Sequence, residues 1–159
     1  MHPQAYIEMR RLLERAPEST AHVLDVGSLD VNGNYRRMIE GMGWDYLGLD
    51  IREGDNVDVV APPYDYPFED GEFDVVISGS TMEHVVKPWI WIRELARVTA
   101  PGGLVAILTH HTFKFHEYPV DTFRYFPDGM KSIFDEAGCL RDYHIEMVND
   151  TDIVGSAIR

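Results

Sequence analysis

The sequence predicts an α/β protein: one doubly wound domain over residues 1–159, with a seven-stranded, mostly parallel sheet and an antiparallel hairpin at its C-terminal edge. Three observations carry this expectation. Short, nearly continuous apolar runs alternate with amphipathic stretches of helical period, the pattern of parallel strands covered by helices on both faces. The first run, Val23-Leu-Asp-Val26, meets Gly27 and Ser28 and then a helix-like pattern. That strand–turn–helix arrangement brings backbone N–H groups and a helix N-terminus up to a ligand. The last two apolar runs, within residues 139–159, have no helix between them and are expected to pair as a hairpin.

Each element follows from local chemistry. Residues 4–15 place Tyr6, Met9, Leu12 and Leu13 on one helical stripe, and Pro17 ends it. A connector leads into a strand at 22–27. Val31, Tyr35, Met38, Ile39 and Met42 recur at helical spacing, with Gly41 and Gly43 marking the C-terminus. Residues 45–51 form a second strand ending near Asp50. Residues 57–61 form a third, stopped by Pro62 and Pro63, which cannot continue a sheet ladder. Residues 73–78 form the fourth. A helix over 88–98 puts Trp89, Ile92, Leu95 and Ala96 on one face, with Trp44, Trp89 and Trp91 expected in the core. Pro101-Gly-Gly103 reads as a turn into a fifth strand, 104–108. A polar, aromatic-rich segment spans 109–126. Pro127 then opens a helix with Met130, Ile133, Phe134 and Ala137 on its apolar face. Two strands with a turn at Asn149-Asp150 complete the pattern.

The bulk numbers bound the function. At 159 residues with 45% hydrophobic content the chain can bury a core without staples. A formal net charge of −13 argues against nucleic acid and anionic membrane surfaces, because Lys and Arg supply affinity for phosphate. The single cysteine, Cys139, cannot form an internal disulfide and reads as a small core residue. With no signal-peptide pattern and no run long enough to span a bilayer, the expected location is cytoplasmic.

In an open parallel sheet, ligands sit beyond the C-terminal ends of the strands. That rule singles out Gly27 and Ser28, Asp50 and Ile51, residues 61–64, Ser78 to Ser80, and Thr109 to His111. Asp50, 23 positions after Gly27, is placed to accept hydrogen bonds from both hydroxyls of a ribose; from spacing alone it serves equally well as a cap or turn acid. A dinucleotide fingerprint needs a glycine where Leu29 stands, so a pyrophosphate-bearing cofactor is disfavoured while a nucleoside without phosphates fits. No P-loop triplet occurs.

Several further pieces recur in order along the chain: Val23-Leu-Asp-Val-Gly-Ser-Leu-Asp-Val-Asn-Gly33, Tyr46-Leu-Gly-Leu-Asp50, Val57-Asp-Val-Val60, Phe73-Asp-Val-Val76, Glu83-His-Val85, Pro101-Gly-Gly-Leu104 and His116-Glu-Tyr-Pro-Val-Asp121 with Arg124-Tyr125. With these the chain resembles the class I S-adenosylmethionine-dependent methyltransferases, and more closely a small bacterial methyltransferase-11-like subgroup with that first motif. The resemblance covers almost the whole chain and implies a Rossmann-like domain that moves a methyl group from S-adenosylmethionine to a small-molecule acceptor.

Carried over position by position, the resemblance implies that Gly27 and Ser28 lie against the methionine part of the cofactor. Asp25 would hold the loop or the amino group, Asp50 the ribose, and Ile51 would pack on adenine. Ser78, Gly79 and Ser80 would line the cofactor after the fourth strand. Pro62-Pro63 depart from relatives that place an acid there for the adenine amino group, leaving backbone atoms, Tyr64 or Asp65 for that task. A base is needed where the acceptor loses a proton, as a hydroxyl does, and histidine is the natural choice. His116 and His111, with Asp121, are the expected catalytic residues; a loop-bracing network of His116, Asp121 and Arg124 is the competing role. His84 reads as a structural hydrogen bond at a helix start. Nothing in the spacing of His110, His111, His116 and Asp121 demands a metal, so the expected site is metal-free. With no inserted lid, the acceptor site is expected to be shallow or completed by a second subunit in a homodimer. A cofactor-binding module or partner subunit without transfer activity is the alternative.

Overall fold

The computed structural model describes residues 3–17 and 21–159; the end of the expected connector before the first strand, residues 18–20, lies outside the described residues. The chain runs through helix α1 (Pro3–Leu13), strand β1 (His22–Val26), α2 (Arg36–Gly41), β2 (Asp45–Asp50), β3 (Val59–Val60), β4 (Phe73–Gly79) and a 3₁₀ turn at Met82–His84. Then come α3 (Pro88–Val98), β5 (Thr99–His110), α4 (Pro127–Asp135), β6 (Arg141–Met147) and β7 (Asp152–Ile158). The seven strands are ordered β3-β2-β1-β4-β5-β7-β6. The first five are parallel, whereas β7 runs antiparallel to both β5 and β6. The expected doubly wound sheet with an edge hairpin is therefore present.

Strand alternation divides the core. Val75 and Ile77 of β4, with Leu104, Ala106 and Leu108 of β5, pack under α1 and α2 through Met9, Leu12, Leu13 and Ile39. Val76, Val105 and Ile107 face the other way, against Trp91, Ile92 and Leu95 of α3 and Met130 and Phe134 of α4. The order of the strands reverses between β1 and β4, and such a switch point opens a crevice at their C-terminal ends.

Several expectations are corrected. Helix α2 begins at Arg36, not at Val31. The Asp30 carboxylate accepts from Gly33 N (2.6 Å) and Asn34 Nδ2 (2.5 Å), and Asn34 Oδ1 accepts from Arg36 N (3.1 Å). These local bonds offer the backbone an alternative to helix and leave Val31 exposed. Pro101-Gly-Gly103 lies inside β5 rather than before it: the β4 register slips there, and the end of β7 holds the segment through Gly102 N to Arg159 O and Arg159 N to Gly103 O. Strand β3 is two residues long. Trp44 and Trp91 are buried as expected, but Trp89 is 42% exposed, because the α3 stripe is centred on Trp91, Leu95 and Val98. Cys139 is exposed, in the turn between α4 and the edge strand β6.

Candidate functional site

One cavity of about 1270 Å³ opens at the C-terminal ends of the strands. That exceeds the roughly 300–1,000 Å³ usual for a single small ligand, so it has room for two. One end is built by the loops after β1, β2 and β4, and the other by the 3₁₀ turn, the 109–126 segment and the β6–β7 turn.

At the first end Asp25, Gly27, Ser28, Asp50, Ile51, Gly79 and Ser80 all line the cavity. Gly27 has φ +83°, and a Cβ there would run into the Thr81 side chain; only glycine gives this turn. Gly79 is needed for a different reason, since a Cβ would enter the Tyr35 ring. The loop's N–H groups are not bare. Gly27 N and Ser28 N donate to the Leu49 carbonyl (2.8 and 3.1 Å), and Leu29 N donates to Asp50 Oδ2 (3.2 Å). With these donors engaged and the helix starting only at Arg36, the loop is no anion cradle, which agrees with a ligand lacking pyrophosphate. Ser78 lies below the wall: it is fully buried, and its hydroxyl donates to the Val26 carbonyl (2.7 Å).

Two buried hydroxyls at this end, Ser28 Oγ and Tyr35 Oη, have no hydrogen-bond partner. Buried polar groups are normally satisfied, so both are poised for a polar ligand. Asp25 is also buried, and loss of solvent pushes its carboxyl up to about 7, although Tyr46 Oη donates to it at 2.6 Å; nearby Asp50 adds to the rise. The side chain of Ile51 is exposed, and Ile51, Pro63 and Tyr64 add apolar surface to the cavity lining.

The other end holds His84, His110 and His116. Of the residues expected to act on the acceptor, the structure brings His116 into the cavity and leaves His111 and Asp121 outside its lining. His111 turns away, its Nε2 lying 2.9 Å from the Asn149 carbonyl. Asp121 braces the loop: it takes two bonds from the Arg124 guanidinium (2.6 and 2.8 Å) and one from His116 N (2.8 Å). Arg124 holds that carboxyl well below the usual carboxylate range.

The profile of the methyltransferase domain family matches residues 24–107, more than half of the chain. The chain belongs to the methyltransferase domain family. Among curated relatives of this methyltransferase domain, a chloroplastic tocopherol O-methyltransferase of Arabidopsis thaliana is 48% identical over 50 residues, 31% of this chain and 14% of that protein. An uncharacterized methyltransferase of Mycolicibacterium gilvum is 46% identical over 41 residues, 26% of this chain and 16% of that protein. The matches thus span 14–16% of the length of these relatives. Among solved structures, a SAM-dependent methyltransferase of Aquifex aeolicus superposes with a TM-score of 0.75 at 20% identity, covering 98% of this chain and 90% of that one. One from Archaeoglobus fulgidus gives 0.78 at 16% identity, covering 98% and 93%. The 1,6-didemethyltoxoflavin-N1-methyltransferase of Burkholderia thailandensis, solved with 1,6-didemethyltoxoflavin and S-adenosylhomocysteine, gives 0.76 at 13% identity, covering 99% and 77%. The fold is that of the class I S-adenosylmethionine-dependent methyltransferases.

Two residues at the site of the methyltransferase domain have surroundings to which sequence reasoning attached no role. His110, not His111, faces the cavity, and its Nδ1 lies 2.9 Å from Asp152 Oδ1. Burial works against ionisation of Asp152, but bonds from His110, Asn149 and Thr151 outweigh it and hold the carboxyl low. Period-two alternation from Leu108, which also lines the cavity, carries the signal that separates His110 from His111. Glu83, fully buried behind the histidines, has no comparable local signal.

Proposed function

We propose that this methyltransferase domain transfers the methyl group of S-adenosylmethionine to a small-molecule acceptor, with a hydroxyl as the acceptor group. The observation that carries the reading is a continuous cavity with two chemically distinct ends, one acidic with orphaned hydroxyls and one lined by histidines. Asp25 and Asp50 would face the positive charges of the cofactor, Asp50 would accept from its ribose, and Ser28 and Tyr35 would gain partners. Ile51, Pro63 and Tyr64 would flank its adenine, without the acid that relatives offer there. Bound in this way, S-adenosylmethionine supplies an electrophilic methyl on a good leaving group. The protein then has to align an acceptor and take its proton. His110 is the proposed base: Asp152 fixes its ring through Nδ1 and offsets the charge it would acquire, leaving Nε2, 3.2 Å from Glu83 Oε1, to take the proton. His116 would line the acceptor, held by Asp121 and Arg124.

Calorimetric titration with S-adenosylmethionine and S-adenosylhomocysteine tests the first step, with saturable binding as the expected result. Absence of binding to either overturns the reading. Binding without turnover over a panel of hydroxyl, amine and sugar acceptors would reassign the chain as a cofactor-binding module.

The pH dependence follows from Asp25. Its carboxyl ionises at about 7 in the folded protein, above the roughly 3.9 of an unfolded aspartate. The unfolded chain therefore releases this proton first, and the group's contribution to stability falls as pH rises from about 4 through 7. Binding of a ligand through its ammonium group has the opposite sense, because it requires the ionised form. S-adenosylhomocysteine affinity should rise by up to about tenfold between pH 6 and pH 8, as the competent fraction grows from about 0.1 to 0.9. Asp25→Asn should flatten that profile; an equally steep profile in the variant would exclude Asp25 as its source.

A further inference from the structure

At the acceptor end, three rings turn toward one carboxylate oxygen. Glu83 Oε2 accepts from Thr109 Oγ1 at 2.7 Å, while Oε1, fully buried, has no hydrogen-bond partner. Around Oε1 stand Nε2 of His110 at 3.2 Å, of His84 at 3.8 Å and of His116 at 4.0 Å. The opposite nitrogen of every ring is committed. His84 Nδ1 donates to the Val120 carbonyl (2.6 Å) and His116 Nδ1 to the Lys114 carbonyl (3.1 Å), while His110 Nδ1 bonds Asp152. A carbonyl can only accept, so those Nδ1 atoms carry the hydrogen, and a neutral ring then keeps a lone pair on Nε2. With the rings neutral, lone pairs of nitrogen and of a buried carboxylate oxygen point at one another. A cation resolves that conflict.

We propose that Glu83, His84 and His116 bind a divalent first-row transition-metal ion at the acceptor end of the cavity, with His110 beside its open face. The ligand atoms of these three residues lie within 4.8 Å of one another. Tetrahedral coordination at 2.0–2.1 Å sets donor atoms about 3.3 Å apart, and the 3.8 and 4.0 Å separations here are wider by only about 0.5 to 0.7 Å. Imidazole donors favour zinc, iron or cobalt over magnesium and calcium. The surroundings are those a metal site needs, because a ligating histidine almost always donates its other N–H to a carbonyl or carboxylate. Asp121, by accepting from His116 N, steadies the loop that carries one ligand.

The role of the ion rests on the methyl transfer proposed above; the site itself does not. An acceptor hydroxyl on the open face of the ion is acidified. Its proton passes to His110 Nε2, the oxygen bonds to the methyl carbon, and the carbon–sulfur pair leaves with the sulfur.

The test uses the full chain, stripped with a chelator, then titrated with Co²⁺ followed by visible absorption and with Zn²⁺ by calorimetry. One ion per chain is expected, with the absorption of nitrogen-ligated cobalt. Glu83→Gln and His116→Ala should each lower affinity by more than the roughly 10–100-fold typical of outer-shell changes. His144→Gln, at a half-exposed histidine next to Glu146, should leave it unchanged. Circular dichroism identifies any variant that fails to fold, and His116 on its loop provides a second reading should the buried Glu83 change be disruptive. No saturable binding, or undiminished affinity in the folded variants, overturns the site. Metal-free titration with S-adenosylhomocysteine separates the two claims: cofactor binding without metal binding removes only the metal, and the converse removes only its role in methyl transfer.

Discussion

Asp50→Ala should weaken S-adenosylhomocysteine binding by roughly 1.5–3 kcal/mol, a factor of about 10–150 in Kd, the range of hydrogen bonds to a charged group. Asp50 ends β2 at the cavity wall, and in the proposed complex its carboxylate accepts from the ribose. It already accepts from Leu29 N and Arg52 N at 3.2 Å each, and so also tethers the loop after β1. Asp50→Asn keeps an acceptor oxygen for that tether and removes the charge. Affinity lost in both variants assigns the effect to the carboxylate, and affinity lost only in the alanine variant assigns it to the loop. Calorimetry on folded protein decides, and unchanged affinity in both would move the ribose elsewhere.

Phe134→Ala should cost about 3–5 kcal/mol of stability, the range for emptying a fully buried aromatic site. Phe134 lies in the core between α4 and the sheet, edge-on to Tyr143 with ring centroids 5.8 Å apart. It sits so close to β7 that a Cβ at Gly155 would come within 3.0 Å of its ring. For a domain of this size each kcal/mol lowers Tm by roughly 2–4 °C, so a fall of about 6–20 °C is expected in thermal unfolding. Phe126→Ala, at a 60% exposed position just before α4, should stay within about 0.5 kcal/mol of the parent. A Phe134 variant as stable as the Phe126 variant would contradict the packing described for α4.

The sheet and helices were largely legible because their signals are local: apolar runs for strands and stripes for helices. The first end of the cavity was legible for the same reason, since Gly27, Ser28, Asp50, Ile51, Gly79 and Ser80 each end a strand or follow one directly and all line the cavity. Helix α2 was misplaced because Asp30 and Asn34 spend their side chains on nearby N–H groups, a competition that apolar spacing does not register. Ser78 was overextended to the cavity from the same Ser-Gly-Ser run, one residue too early in the alternation. The acceptor end was harder. Glu83 gains its surroundings from Thr109, His110 and His116, all more than twenty positions away. Of the neighbours His110 and His111, the alternation of β5 turns His110 to the cavity, and Asp121 accepts from Arg124 in the loop-bracing role without lining the cavity.

The position of β7 has a consequence for how the protein is made. It is inserted between β5 and β6, although it lies furthest along the chain of the seven strands. As the chain emerges from the ribosome, β1 to β5 can pair while one long edge of β5 stays open, and such edges invite pairing between nascent chains. Arrival of β7 closes that edge, and in the same event sets Asp152 opposite His110. The β1 loop and its acids can therefore assemble early, whereas the histidine end is organised only when the sheet is sealed. A chain caught before that moment has a place for one ligand and no aligned partner for the second.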